Sequence, residues 1–112
     1  MVRQASNSDV FQAIACPTRR SLLELLGERE RPVSDLVEAL NISQPSVSEQ
    51  LRVLRETGLV DVERIGRRRI YRLRPAGFRP LIDWMTEFSR FWDVKLDSLA
   101  SFLEQQKTKG PS

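Results

Sequence analysis

The feature that most constrains the fold is a change of apolar periodicity that follows two short helices joined by a tight turn. Apolar residues recur at helical spacing on both sides of Leu40-Asn41-Ile42-Ser43, a four-residue turn. Beyond Gly58 they alternate with charged residues, which is typical of β-strands. This order predicts a helix-turn-helix followed by a two-stranded hairpin.

Two more helices are predicted before this motif and one after it, which gives a mainly α (α+β) chain. The predicted helices cover about residues 8–16, 17–27, 34–41, 43–58 and 81–104, and the hairpin lies between the last two. Ser34 is expected to cap the third helix, and Asn41 can take the left-handed turn that closes it. Residues 28–32 are interpreted as a loop. We expect one domain over residues 1–112, with a structured core at 7–104 and a polar tail at 105–112.

Composition excludes several classes of protein. The 112 residues contain one cysteine and no histidine, so catalysis by histidine and disulfide frameworks are excluded. No apolar run approaches the roughly 20 residues of a membrane span, and no signal peptide is visible. The sequence therefore predicts a cytoplasmic protein without catalytic activity, without a cofactor and without a membrane partner.

Positive charge is concentrated in one segment. Residues 52–79 contain nine arginines and three acidic residues, a net charge of +6, whereas the flanking segments carry net charges of −2 and −1. Such a segment between acidic flanks is typical of a surface that faces phosphates. Because it coincides with the second half of the fourth helix and the hairpin, we expect double-stranded DNA as the partner.

The fourth helix divides into an apolar and a polar face. Val47, Leu51 and Leu54 form one stripe, and we interpret Gln50 as an inward, structural residue. The outer face and the hairpin tip supply the predicted DNA contacts. The predicted contacts to base edges are Ser46, Ser48, Glu49 and Arg52. The predicted contacts to phosphates near the start of the helix are Ser43 and Gln44. The hairpin contributes Arg67, Arg68 and Arg69.

Several short motifs together resemble one known family. They are Pro17-Thr18-Arg19-Arg20, Ser34-Asp35-Leu36, Ser43 to Leu51, Leu54 to Val60, Gly66-Arg67-Arg68 and Tyr71-Arg72-Leu73. From about Asp9 to Leu103 the sequence resembles the ArsR family of winged-helix transcriptional repressors. The resemblance implies a homodimer formed by the first and last helices, an operator bound with two-fold symmetry, and repression that an effector usually relieves.

The last helix carries more apolar surface than one small domain needs. Its stripe is interpreted as dimer core, with a ligand pocket among the aromatic residues as the alternative. The predicted dimer interface consists of Phe11, Leu81, Trp84, Met85, Phe88, Phe91, Trp92, Leu96 and Leu99.

The sequence departs from the metal-sensing members of the family. Where those members carry Cys-Val-Cys, this chain has Pro32-Val33-Ser34, and the acidic residues of the last helix have no histidine beside them. We therefore expect no metal site and a metal-independent repressor.

Two alternatives remain open. Cys16 is either a small buried side chain or a thiol sensor at the start of the second helix, so a thiol- or small-molecule-responsive repressor is one alternative. The other is a winged helix that binds proteins, which would need an apolar outer face on the fourth helix.

Overall fold

The computed structural model describes residues 10–108 and confirms the predicted order of elements. They are α1 (the helical residues 10–13), α2 (Pro17–Glu28), β1 (Arg31–Pro32), α3 (Val33–Leu40), α4 (Gln44–Glu56), β2 (Val60–Ile65), β3 (Arg68–Leu73), a 3-10 helix (Pro75–Phe78) and α5 (Arg79–Thr108). The chain forms two compact units, one ending at Leu81 and the other beginning at Ile82.

Local chemistry fixes the turn between α3 and α4. Asn41 has φ 56° and ψ 43°, a left-handed conformation that asparagine tolerates, and its N–H donates to the Val37 carbonyl at 2.8 Å. Two residues later the Ser43 side chain accepts a hydrogen bond from the Ser46 N–H at 3.2 Å. Pro45 follows within the first turn of α4, where a missing N–H costs nothing. The predicted turn and cap are both confirmed.

The hairpin is part of a three-stranded antiparallel sheet in the order β1-β3-β2. Arg31 pairs with Tyr71 and Pro32 with Ile70, so the prediction that residues 28–32 form only a loop is wrong for these two positions. A strand of two residues is too short to show alternation in the sequence. Pro32 is tolerated because β1 is an edge strand.

β1 also changes where α3 begins. The helix starts at Val33 and its N-cap is Pro32, which makes no side-chain cap hydrogen bond, so the prediction that Ser34 caps α3 is wrong. The chain passes directly from the strand into the helix, and Ser34 therefore lies in its first turn. α2 ends at Glu28, one residue after the predicted end at Gly27.

The core of the first unit is aliphatic and lies between the inner faces of the helices and the sheet. Its largest fully buried side chains are Leu22, Leu36, Val47, Leu51, Leu54, Leu59 and Val60. Burying each leucine contributes about 1.5–3 kcal/mol of hydrophobic free energy. Three of these residues are the predicted inner stripe of α4. The opposite face of α4 consequently remains at the surface.

α5 runs from Arg79 to Thr108 and is therefore longer than the predicted helix at 81–104. Residues 7–9 of the predicted core and residues 109–112 of the predicted tail lie outside the described residues. Its large apolar side chains between Ile82 and Leu103 are mostly 43–65% exposed in the single chain. Phe88 is partly buried because it stacks on Trp84 and Phe91, with ring centroids 5.0 and 5.3 Å away.

Two residues predicted at the dimer interface lie in the first unit. Leu81 packs against the buried core of this unit, and Phe11 is half-buried in α1. Over residues 10–108 no helix has the length and apolar character needed to cross a membrane.

Candidate nucleic-acid interface

The outer face of α4 presents polar side chains on one continuous surface. Gln44, Ser46, Glu49 and Arg52 are exposed, and Ser48 is partly exposed. All five were predicted as DNA contacts. Ser48, Glu49 and Arg52 lie on the side of the helix away from its buried stripe, and Gln44 and Ser46 are exposed in its first turn. A face of this composition offers hydrogen-bond donors and acceptors, which is the chemistry that base edges require.

The start of α4 is organised by two serines. The Ser43 hydroxyl donates to the Ser46 Oγ at 3.0 Å and accepts from the Ser46 N–H. Ser43 and Ser46, predicted to contact phosphate and base respectively, thus form one capping unit. The remaining N–H groups of the first turn make the helix start a favourable place for a phosphate.

The wing, defined as residues 60–73, places its arginines by register. Gly66 has φ 65° at the turn, where a side chain would be strained. Arg64 pairs with Arg69 across the strands, and Ile65 pairs with Arg68. Since side chains alternate along a strand, Arg69 lies on the same face as the buried Tyr71, two residues further on.

Two clefts flank the outer face of α4. One, of about 320 Å³, is lined by Pro32, Val33, Ser34, Gln44, Ser48, Arg67, Arg68 and Arg69. The other, of about 340 Å³, is lined by Pro45, Ser48, Glu49, Arg52, Arg55, Arg69 and Tyr71. Ser48 of α4 and Arg69 of the wing line both clefts, so the Arg69 side chain lies beside α4. The two clefts therefore join one surface of predicted residues, whereas Ser43 and Ser46 line neither cleft. The joined residues are Gln44, Ser48, Glu49 and Arg52 of α4 and Arg67, Arg68 and Arg69 of the wing.

Sequence reasoning missed two arginines of this surface. Arg55 lines the second cleft, and Arg64 lies opposite Arg69 in the wing. The helical spacing of Arg55, three residues after Arg52, could have identified it. The cross-strand pairing of Arg64 depends on the register, which the turn at Gly66 decides.

The arginines of the wing differ in their charge partners. Arg72 forms ion pairs with Glu63 and Glu30, and the hydrogen bond from Arg72 to Glu63 raises the pKa of the guanidinium. Just beyond the wing, the Arg74 Nε lies 3.7 Å from an Asp61 carboxylate oxygen. Among the described residues Arg67, Arg68 and Arg69 have no carboxylate within ion-pair distance. The positive charge of the wing is thus neutralised at its base and left available at its tip.

Glu49 and Arg52 form a close ion pair on α4. The Arg52 Nε and Nη2 donate to the two Glu49 oxygens at 3.1 and 2.5 Å. This hydrogen bonding lowers the pKa of the Glu49 carboxyl, which therefore stays ionised. Arg52 therefore partly neutralises the negative charge of Glu49. A second acidic partner, Glu56, was not foreseen.

Gln50 has the structural role predicted for it. Its Oε1 accepts a hydrogen bond from the Arg19 Nη1 at 2.8 Å, while Arg19 Nε donates to the Ala13 carbonyl at 2.8 Å. Arg19 therefore links α4 to the end of α1. This link restrains the rotation of the helix that carries the candidate base contacts.

Cys16 is the N-cap of α2 and is half-buried, so the interpretation as a fully buried side chain is wrong. The pKa of its thiol is lowered, mainly by a hydrogen bond from the Arg19 backbone N–H. The cause is its position at a helix start, where N–H groups stabilise the thiolate.

Comparison with known proteins identifies the family. Residues 16–62 match the family described as bacterial regulatory protein, arsR family. The HTH-type transcriptional regulator Rv2034 of Mycobacterium tuberculosis is 35% identical over 96 residues, which cover 86% of this chain and 87% of that protein. The transcriptional repressor SdpR of Bacillus subtilis is 36% identical over 81 residues, which cover 72% and 90% of the two chains.

Solved structures agree with this assignment. A crystal structure of an ArsR family transcriptional regulator has a TM-score of 0.69 at 26% identity, covering 83% of this chain and 97% of its own. The homodimeric winged helix-turn-helix DNA-binding domain of a possible ArsR-family regulator from Mycobacterium bovis has a TM-score of 0.63 at 26% identity, with 75% and 81% coverage. The chain has the winged helix-turn-helix fold, and it belongs to the ArsR family of DNA-binding transcriptional regulators.

Proposed function

We propose that this protein is a metal-independent repressor that binds an inverted-repeat operator as a homodimer. The observation that carries the proposal is the exposed polar face of α4 beside a wing tip whose arginines have no carboxylate of residues 10–108 within ion-pair distance. The helix supplies groups that distinguish bases, and the wing supplies groups that bind phosphate. Together they form the two kinds of contact that a sequence-specific DNA complex needs.

In the proposed complex, α4 enters the major groove and the wing follows the adjacent backbone. Ser48, Glu49 and Arg52 contact base edges, because all three line the second cleft beside the wing and Ser48 also lines the first. Glu49 accepts a hydrogen bond from a cytosine amine, and Arg52 donates to guanine. Arg67, Arg68 and Arg69 contact phosphates or a narrow minor groove. The polar face of α4 favours DNA over a protein partner at this surface.

The dimer is proposed from the apolar stripe of α5 and from the homodimeric relative of known structure. Two-fold symmetry then makes the operator an imperfect inverted repeat. Independence from metals is proposed because the start of α3 has Pro32, Val33 and Ser34, none of which supplies a thiolate or imidazole ligand.

Selection of bound duplexes from a random pool tests the proposal. We expect an enriched inverted repeat whose half-sites lie one helical turn, roughly 34 Å, apart. Binding should persist after treatment of the protein with a chelator. Absence of any enriched sequence, an enriched site without two-fold symmetry, or loss of binding on chelation would contradict the proposal.

A further inference from the structure

Arg52 is held on both sides by carboxylates of its own helix. Besides its two hydrogen bonds to Glu49, its Nη1 donates to Glu56 Oε2 at 2.6 Å. Glu49 precedes Arg52 by three residues and Glu56 follows it by four, so all three lie on one helical face. Three of the five N–H groups of the guanidinium are therefore occupied within the free protein.

This arrangement puts two negative charges around one positive charge on the surface that faces DNA. The side chains of Glu49, Arg52 and Glu56 are 55%, 50% and 64% exposed, so DNA can reach them. A phosphate that approaches Arg52 has to displace a carboxylate and stay near the other one. The acceptor atoms of guanine, O6 and N7, carry no net charge and meet much less repulsion.

Sequence-independent binding depends on phosphates, whereas sequence-specific binding also uses base edges. An arrangement of carboxylates that hinders phosphate contacts of Arg52 but permits its base contacts therefore raises the ratio of specific to non-specific affinity for DNA. We infer that Glu56 is a specificity-determining residue that keeps Arg52 from binding phosphates and reserves it for a guanine edge. This inference rests on the proposed function, because it requires α4 to lie in the major groove.

The test compares Glu56→Gln with Glu24→Gln. Each variant removes one negative charge, but Glu24 is an exposed residue of α2 and does not belong to α4. Affinities are measured over a range of salt concentrations on two duplexes of equal length. One is the duplex that the wild-type protein selects from a random pool, and the other has a random sequence.

For Glu56→Gln we expect random-sequence binding to tighten about two- to fivefold, the effect of losing one exposed ion pair. The salt slope on that duplex should become steeper by about 0.9, because Arg52 gains one phosphate contact. Affinity for the selected duplex should change less than twofold, so the specificity ratio falls. Glu24→Gln should leave both the ratio and the slope as in the wild type.

Arg52→Lys provides an independent variant, since lysine keeps the charge but lacks the planar fork. It should weaken binding to the selected duplex and leave random-sequence binding nearly unchanged. An unaltered ratio in Glu56→Gln, or an equal change in Glu24→Gln, overturns the inference while the proposed function stands. If the wild-type protein selects no sequence, the proposed function fails and the inference fails with it.

Discussion

At the scale of single residues, Gly77 lies so close to the backbone of Gly58 that there is no room for a side chain at this position. A Cβ atom added at Gly77 would lie 1.9 Å from the Gly58 carbonyl oxygen and 2.7 Å from its carbonyl carbon. Both contacts are with backbone, which cannot rotate away as a side chain can. Gly77 is thus required for the 3-10 helix to pass over the end of α4.

We predict that Gly77→Ala lowers the free energy of unfolding by about 1–3 kcal/mol, the usual cost of overpacking, or by more if the backbone cannot shift. Chemical denaturation measures this. Gly27→Ala is the control, because its Cβ would meet only Leu73 Cδ1 at 3.8 Å. Inside α2 that change should be neutral or stabilising by up to about 1 kcal/mol. Equal stability of Gly77→Ala and the wild type would show that the approach is looser than described.

Single residues also show what the sequence could and could not reveal. Asn41 and Ser43 were predictable because their side chains act on neighbouring backbone groups. The burial of Arg31 was not predictable. Its side chain is 8% exposed and donates to the Leu25 carbonyl at 3.0 Å, a contact that depends on the position of the short strand β1. The second partner of Arg52 was missed although Glu56 stands at the i+4 spacing. Local sequence patterns thus predict turns and caps, whereas the partners of Arg31 and Arg52 depend on the folded structure.

At the scale of elements, the wing combines an ion-paired base with tip arginines that form no ion pair with any carboxylate in the described part of the chain. The alternation of Val62 and Tyr71 was enough to predict the hairpin, since these residues pair directly across β2 and β3. Which arginines face α4 follows from the register, which places Arg69 on the face of Tyr71. That Arg67, Arg68 and Arg69 contact DNA stays a prediction; all three line the first cleft, and Arg69 also lines the second.

We predict that Arg67→Ala, Arg68→Ala and Arg69→Ala each weaken binding to selected and random duplexes alike. Each lost phosphate contact should reduce the salt slope by about 0.9. Arg69→Ala should have the largest effect, because this side chain lines both clefts. Arg90→Ala, which removes the same charge from α5, is the control and should change neither quantity. Unchanged affinity and slope in all three wing variants would exclude the wing from the interface.

At the scale of the whole molecule, α5 has an apolar stripe that is only half covered in the single chain. Phe88 stacks on Trp84 and on Phe91, and Trp92 meets Phe88 and Phe91 edge to face at 5.2 and 5.7 Å. The stripe was predictable from its steps of three and four residues. The partner of the stripe was not, because helical spacing indicates a buried face without indicating what buries it.

We predict that the double variant Phe88→Ala/Trp92→Ala dissociates the proposed dimer. Truncating each aromatic side chain should reduce the free energy of dimerisation by about 3–5 kcal/mol if the dimer buries it fully. A small interface does not remain associated after a loss of this size at two positions. Val94→Ala is the matched control: Val94 lies on the same helix but off the stripe and is 65% exposed. Sedimentation velocity should give a monomer for the double variant and a dimer for the wild type and the control.

The monomeric variant should also lose the preference for an inverted repeat, since the two half-sites are no longer bound together. A double variant that remains dimeric would mean that α5 does not hold the subunits together, and the interface would have to be sought on another surface.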